Sequence, residues 1–473
     1  MTRQNKNKNI TSGNLFAGII SFTIPLFLST LVQTLFTSAD TIIVGNFANS
    51  LAVAALGAAQ PVISLLVGCF VSFATGAGII ISRSIGAGDK ERIKKAVDTS
   101  MIFSVVLGII VMVASFLLST ALLEFLDCPQ ECFDDAVYYM NIYMLGVPVM
   151  MIYNFAAAII RAEGDSTRPL IYIIISGAVN VILNLIFCII LANKIAAVGY
   201  STVLSQVVAA ILVMVRLMRK KDGLCTFSLR KMNFHFPTLY GILRFGIPLA
   251  LSSAVYPLAG LQIQPAINSY GPANLAGVTA ATNIDGFANA LQSAFSGTLV
   301  TFASQNIGAH NRARTERSIV LCTLCATISG LVFGFICYYL LSDQLMALFL
   351  KDDMEAIFYG QMRMKYVTAF MWLSALNGCI GATVQALGYP MASTLNGLIS
   401  VLGFRIIWMN FVYPYNQNID TLYVCYTISW SLMFIIGFAL FIPSFMKYRK
   451  GERMYEEKMK RKQQKEEALN ENA

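Results

Sequence analysis

Ser82-Arg83-Ser84-Ile85-Gly86-Ala87-Gly88-Asp89 returns, far downstream, as Ser304-Gln305-Asn306-Ile307-Gly308-Ala309-His310-Asn311. Before it, Ile24-Pro25-Leu26 returns as Ile247-Pro248-Leu249. After it, Arg161-Ala162-Glu163-Gly164 returns as Gln385-Ala386-Leu387-Gly388. The offset from Ile24 to Ile247, from Ser82 to Ser304 and from Arg161 to Gln385 is nearly constant, a register that chance would not hold. The chain is a tandem duplication, and its fold has to be read twice.

Between these echoes run apolar stretches of roughly 20 residues, each long enough to cross a hydrocarbon core of about 30 Å as a helix. Composition agrees: 56% of residues are hydrophobic and 12% charged, about half the charged fraction of a soluble domain. The first run, Leu15 to Val44, is too long for a signal peptide and more spans follow it. Spans read at 15–45, 52–81, 97–121, 135–160, 169–192, 196–218, 241–267, 272–306, 318–341, 357–387, 393–415 and 421–446. The expected fold is all-α: a polytopic membrane protein of twelve transmembrane helices in two six-helix lobes, 1–218 and 241–446. A cytoplasmic linker, 219–240, joins them, and a tail, 447–473, follows. Six spans return the chain to its starting side, so the copies are parallel repeats about an axis along the membrane normal, with the transport path between them.

The net charge of +9 does not point to nucleic acid, because its placement is one-sided. Alternating the loops puts Lys194, Lys351, Arg363 and Lys365 outside and Arg405 within a span, while the rest of the 34 Lys and Arg residues fall inside. These include Arg3, Lys6 and Lys8 near the start, Arg161, Arg168 and the tail from Lys447. Such a bias places both termini in the cytoplasm and the chain in the cell's inner (plasma) membrane. The tail mixes Lys and Glu at helical spacing and reads as a solvated cytoplasmic helix or frayed end. The ten cysteines are scattered, mostly within spans, where small buried apolar roles are usual. Cys322 and Cys325 read as core rather than a metal pair, and Cys128 and Cys132 share an outer loop where an oxidising compartment could join them.

Carboxylates are the sharpest chemical marker. Of 25 Asp and Glu residues, only Asp40 and Asp285 sit well within apolar spans. A buried carboxylate persists where it faces an aqueous cavity, a cation or a polar partner. Burial makes its charge costly, which suits a group that takes up and gives back a proton. Asn180 and Asn184 share one face of span five, Thr202 opens span six, Asn154 lies in span four, and Gln33 is two turns before Asp40. Together they offer oxygen ligands for a proton or Na⁺ at Asp40, the one metal site expected. For any single Asn, plain interhelical hydrogen bonding is the simpler reading. Asp285 is the lone counterpart in the second half but not at the equivalent position, since the offset maps Asp40 to Ile263, between Gln262 and Gln264. The lobes are therefore chemically unequal, with ion binding expected in the first and cargo contacts at Gln33, Asp285, Gln262 and Arg405. Arg405 is expected to face the bundle interior near a carbonyl or carboxylate. Pro25 and Pro248 interrupt spans one and seven at matched positions and read as hinges or static kinks.

With these residues in place the chain resembles the multidrug and toxic compound extrusion family, within the wider group of oligosaccharide and lipid flippases. The likeness runs from Ile24 to about Met446. It rests on the duplication, on Ile24-Pro25-Leu26 followed by Gln33 and Ala39-Asp40-Thr41, and on the Ile-Gly-Ala turns after spans two and eight. Arg161-Ala162-Glu163-Gly164-Asp165 and Val179-Asn180-x-x-Leu183-Asn184 complete the pattern. The resemblance implies antiport, in which an inward H⁺ or Na⁺ gradient expels cationic, amphipathic compounds. It implies that Asp40 is the acidic residue of the amino-terminal lobe site, that Asn180 is its partner, and that Thr202 and Asn154 belong to the same site. The sequence departs from many relatives at Asn184, where they carry a second Asp. It also lacks acids in spans seven and ten found in some branches, which tilts the coupling toward H⁺.

An ion-coupled exporter is thus the leading expectation, with membrane lipid and a small cationic amphipathic substrate as partners, no nucleic acid, no cofactor, and a monomer. A flippase for a lipid-linked saccharide ranks lower, because an anionic cargo would want several cations in the cavity and only Arg405 is on offer. An enzyme ranks lowest: His235 and His310 fall in predicted loops, and the chain has neither a His-Glu-x-x-His pair nor a phosphate-binding Gly-rich Lys-Ser/Thr loop.

Overall fold

The computed structural model describes residues 10–47, 50–125, 128–219, 224–230, 232–351 and 353–471. Arg3, Lys6 and Lys8 lie outside the described residues, as does part of the connector, 220–223 and 231. The described residues are almost entirely helical. The first lobe comprises α1 (Leu15–Phe47), α2 (Ser50–Gly86), α3 (Lys90–Phe125), α4 (Phe133–Leu145), α5 (Val147–Ala162), α6 (Thr167–Ile190) and α7 (Lys194–Arg219). The second comprises α8 (Phe236–Ser269), α9 (Pro272–Gly308), α10 (Arg312–Gly334), α11 (Ser342–Leu350), α12 (Met354–Tyr366), α13 (Met371–Ala386), α14 (Pro390–Gly397), α15 (Phe404–Ile407) and α16 (Ile419–Glu471).

Ten helical stretches are long and apolar enough to cross a membrane, and α4 with α5, bent by 47°, makes an eleventh. That bend falls at Gly146, and Pro148 just after it removes a backbone donor from the junction. The twelfth span is α9, 37 residues long but rich in Ala, Gly, Ser, Thr and Asn. It is less apolar because other helices, rather than lipid, cover much of it. The duplication survives in the fold. Helices α2 and α3 begin at Ser50 and Lys90 while α9 and α10 begin at Pro272 and Arg312, the same offset that separates Ser82 from Ser304. Even a turn without its glycine is kept. Gly88 has φ +69°, and its counterpart His310 adopts φ +52°, pinned by its ring on Tyr455 at 3.6 Å and by Glu452 at 3.2 Å.

Two expected boundaries move. The connector is shorter than 219–240, because α7 reaches Arg219 and α8 starts at Phe236. Its described part is tied down, with Cys225 N–H donating to Glu163 and Asn233 N–H to Asp98. No break separates the last span from the tail, which continues it as one 53-residue helix. Cys128 and Cys132 are free thiols, both directed at the Pro129 carbonyl.

The lobes meet along α1, α2, α8 and α9. Contact is tightest where α2 and α9 end: a Cβ on Gly86 would lie 1.9 Å from the Gln305 carbonyl oxygen, and one on Gly308 2.1 Å from that of Arg83. Two side chains cross there in opposite directions. Arg83 Nη2 donates to the Ala386 carbonyl at 2.6 Å, and Gln305 Nε2 donates to the Ala162 carbonyl. Arg83 and Gln305 are repeat mates, as are Ala162 and Ala386, so the crossing is one contact used twice. It shuts the cleft at the end where the basic loops lie.

Candidate functional site

The site grows from a polar stripe on α1. Thr30, Thr34, Thr37 and Ser38 each donate a hydroxyl proton to the carbonyl one turn back, which lets an apolar-flanked helix carry them. One turn before Asp40, the Phe36 ring lies where a Cβ on Gly177 of α6 would sit, 1.7 Å away, so any larger residue at 177 would have to displace that ring. Asp40 then reaches α6, and Asn184 Nδ2 donates to its Oδ1. The same amide lies 3.4 Å from Asn180 Oδ1, while Asn184 Oδ1 is buried with no hydrogen-bond partner.

Asp40 faces a chamber of about 470 Å³ whose wall includes Gln33, Asn154, Asn180 and Thr202, with Asn184 behind the carboxylate. Asn154 Nδ2 is spent on the Met150 carbonyl at 2.9 Å and Thr202 Oγ1 on the Val198 carbonyl at 2.9 Å, so each turns oxygen lone pairs to the chamber. The structure therefore gathers Asp40, Asn180, Asn184, Thr202, Asn154 and Gln33 at one place in the first lobe. Sequence reasoning missed Gln60, Gln206, Tyr139 and Tyr143 on the same wall. Tyr139 and Tyr143 are four apart on α4, a face that was visible in the sequence; the 47° bend that aims it was not. A second chamber of about 280 Å³ shares Gln33, Val71, Tyr153, Asn154 and Ile173 with the first and continues against α9 at Ser293, Gly297 and Thr301.

The second lobe is built differently, and three of the expected cargo residues lie apart from these two chambers. Asp285, Gln262 and Arg405 line neither chamber. Asp285, 1% exposed, accepts from Arg363 Nη1 and from Thr368 Oγ1 at 2.6 Å. Arg363 is thus no outer-loop cation but a buried counter-ion on α12, which neighbouring residues in the sequence cannot reveal. Arg405 is buried as expected, with its guanidinium 4.1 Å above the Tyr426 ring. Gln262 is exposed on α8. Neither proline breaks its helix. The Pro25 carbonyl accepts from Ser29 at 2.7 Å, whereas that of Pro248 accepts from Thr394 of α14 at 2.7 Å, which tethers α8.

Comparison with known proteins matches this geometry to a family. The MatE family model matches residues 25–186 and 248–413, one segment in each lobe. The probable multidrug resistance protein YoeA of Bacillus subtilis is 25% identical over 432 residues, covering 89% of this chain and 92% of its own. The multidrug export protein MepA of Staphylococcus aureus is 25% identical over 258 residues, 54% of this chain and 57% of its own. A crystal structure of MATE in the bent conformation has the same fold, with TM-score 0.87 at 22% identity over 95% of this chain and all of that one. So does an outward-facing MATE family transporter, with TM-score 0.81 at 23% identity over 96% and 99%. With a family model covering most of both lobes, this multi-pass membrane protein belongs to the MatE family, the multidrug and toxic compound extrusion transporters.

Proposed function

We propose that the chain is a secondary antiporter of the plasma membrane, with both termini cytoplasmic, which exports amphipathic cations in exchange for H⁺ or Na⁺. The observation that carries this reading is the Asp40 carboxylate on the wall of a solvent-sized chamber, held by one amide. With the cytoplasmic end shut by α2 and α9, the chamber in this conformation serves the outer side. An ionised Asp40 attracts either a cationic cargo or the coupling ion, and occupancy by one weakens the other by the same factor. That mutual exclusion is what exchange requires. The immediate partner of Asp40 is an N–H donor rather than a shell of oxygens, which favours a proton over Na⁺. On protonation, turning the Asn184 amide would bring its unpartnered Oδ1 to accept from the new carboxyl O–H, so one side chain serves both states.

Purified protein in proteoliposomes, with H⁺ and Na⁺ gradients imposed separately against ethidium as cargo, tests this. Asp40→Asn abolishes gradient-driven efflux while the protein still folds and inserts. Undiminished efflux by that variant removes Asp40 from the mechanism.

A further inference from the structure

The second chamber, the inner of the two because it lies toward the α2–α9 contact, is lined by a single charged residue, Arg161, on the last turn of α5. Among the described residues no hydrogen bond or ion pair holds it. The acids that follow in sequence are committed elsewhere: Glu163 faces Arg216 at 3.6 Å and accepts Cys225 N–H at 2.7 Å. Asp165 pairs with Arg168 at 3.0 Å and accepts the N–H groups of Thr167 and Arg168. The helix end does not need a cation for its fold. Its repeat mate in the second lobe is Gln385, neutral and bonded to Ser393 at 3.2 Å, and both helix ends close with a left-handed glycine, Gly164 at φ +95° and Gly388 at φ +104°. A guanidinium carries five donors in a planar fork that matches a carboxylate. The other wall of the chamber offers the opposite. Ser29, Thr30, Thr75 and Thr301 donate their protons to carbonyls of their own helices at 2.7, 3.3, 2.8 and 3.0 Å, leaving lone pairs to face inward. Such oxygens accept from an ammonium.

We infer that the inner chamber is a subsite for an anionic group, and that the cargo is a zwitterionic amphiphile whose carboxylate meets Arg161 while its cationic part lies toward the hydroxyls and Asp40. The inference rests on the export reading for its direction of transport, not for the binding itself. It adds Arg161 to the positive charge that the sequence offers near the path.

Rhodamine 110 and its methyl ester, rhodamine 123, differ in whether the carboxylate is free. Fluorescence anisotropy on the full chain in nanodiscs gives a dissociation constant for each. Wild-type protein binds rhodamine 110 the more tightly, and Arg161→Gln lowers that preference by about tenfold or more, the loss of one charge-assisted contact. Arg161→Lys keeps the preference within about threefold of wild type. A ratio that does not move in Arg161→Gln overturns the subsite, as does wild-type protein that binds rhodamine 110 no tighter than rhodamine 123, or neither dye, a comparison that decides the matter even if the variant does not fold. Soluble dihexanoyl phosphatidic acid displacing rhodamine 110 at concentrations tenfold below the dye's own dissociation constant overturns the carboxylate assignment in favour of a lipid phosphate. Arg161-dependent binding without gradient-driven efflux leaves the subsite standing and sinks only the export reading.

Discussion

Asp40 and Asp285 are the two acids that the sequence places inside spans, and their fates differ through their partners. Asp40 has a neutral amide and a cavity; Asp285 is buried against a guanidinium and a hydroxyl. An exchangeable cation can visit the first, while Arg363 already fills that role for the second. A hydrogen bond to a charged group contributes about 1.5–3 kcal/mol. Asn184→Leu, which removes the donor to Asp40, is therefore expected to slow ion-driven efflux at least tenfold in proteoliposomes; a wild-type rate would reduce that contact to packing. In the second lobe, removing one member of a buried pair costs about 3–5 kcal/mol, whereas replacing both with apolar or neutral groups is often close to neutral. Arg363→Met alone should thus melt earlier in detergent than Asp285→Asn combined with Arg363→Met. Equal melting temperatures would show that the two residues are not coupled.

At the scale of elements, the helix ends of α2 and α9 form the closest contact between the lobes. Gly86 and Gly308 bring two backbones together where any side chain would collide, and Arg83 and Gln305 reach across to the ends of α13 and α5. In the proposed exporter this pair of polar ties beside a glycine contact would be the gate between states. Gly86→Val puts carbon 1.9 Å from a carbonyl oxygen, so the helices must separate. In a Cys69→Ser/Cys325→Ser background, which removes the two thiols that are not buried, Thr301→Cys should then react several-fold faster with an impermeant maleimide added at the cytoplasmic face. Unchanged labelling would mean that the cleft closes elsewhere. The two matched prolines part company here, because α8 is tethered at Pro248 by Thr394 while the Pro25 carbonyl bonds only within α1.

Across the whole molecule, the lobes share one plan and divide the chemistry. The start of the described chain is pinned to the second lobe, since Arg314 of α10 donates to the carbonyls of Ile10, Ser12 and Gly13 at 2.8, 2.7 and 2.9 Å. The stretch of α16 just beyond the last span docks on the same face through Arg449 with Glu316 at 2.8 Å and Glu452 with His310. Both ends of the described chain therefore lie on one side, together with the α2–α9 closure. A fluorescent protein fused after Ala473 should fluoresce in cells, and alkaline phosphatase fused there should stay inactive. The reverse result would invert the membrane orientation and make the closed end the outer one.

Much of this was legible in the residues alone. Apolar run length, the one-sided basic loops and a nearly constant repeat offset establish the spans, the orientation expected of them and the duplication, because hydrocarbon thickness and helix rise act on local sequence. Asp40 and the Asn180–Asn184 face stood out for the same reason: a polar group inside an apolar run is conspicuous by itself. Whether such a group is free or already satisfied depends on side chains far away in the chain, so tertiary structure alone could decide it. Arg363, distant from Asp285 in sequence, pairs with it inside the lobe, and Asn184 of α6 supplies Asp40 with its amide. The bend at Gly146 and the packing of α9 against the first lobe made the chambers, and with them the exposure of Arg161, which by sequence was one more basic residue at a helix end.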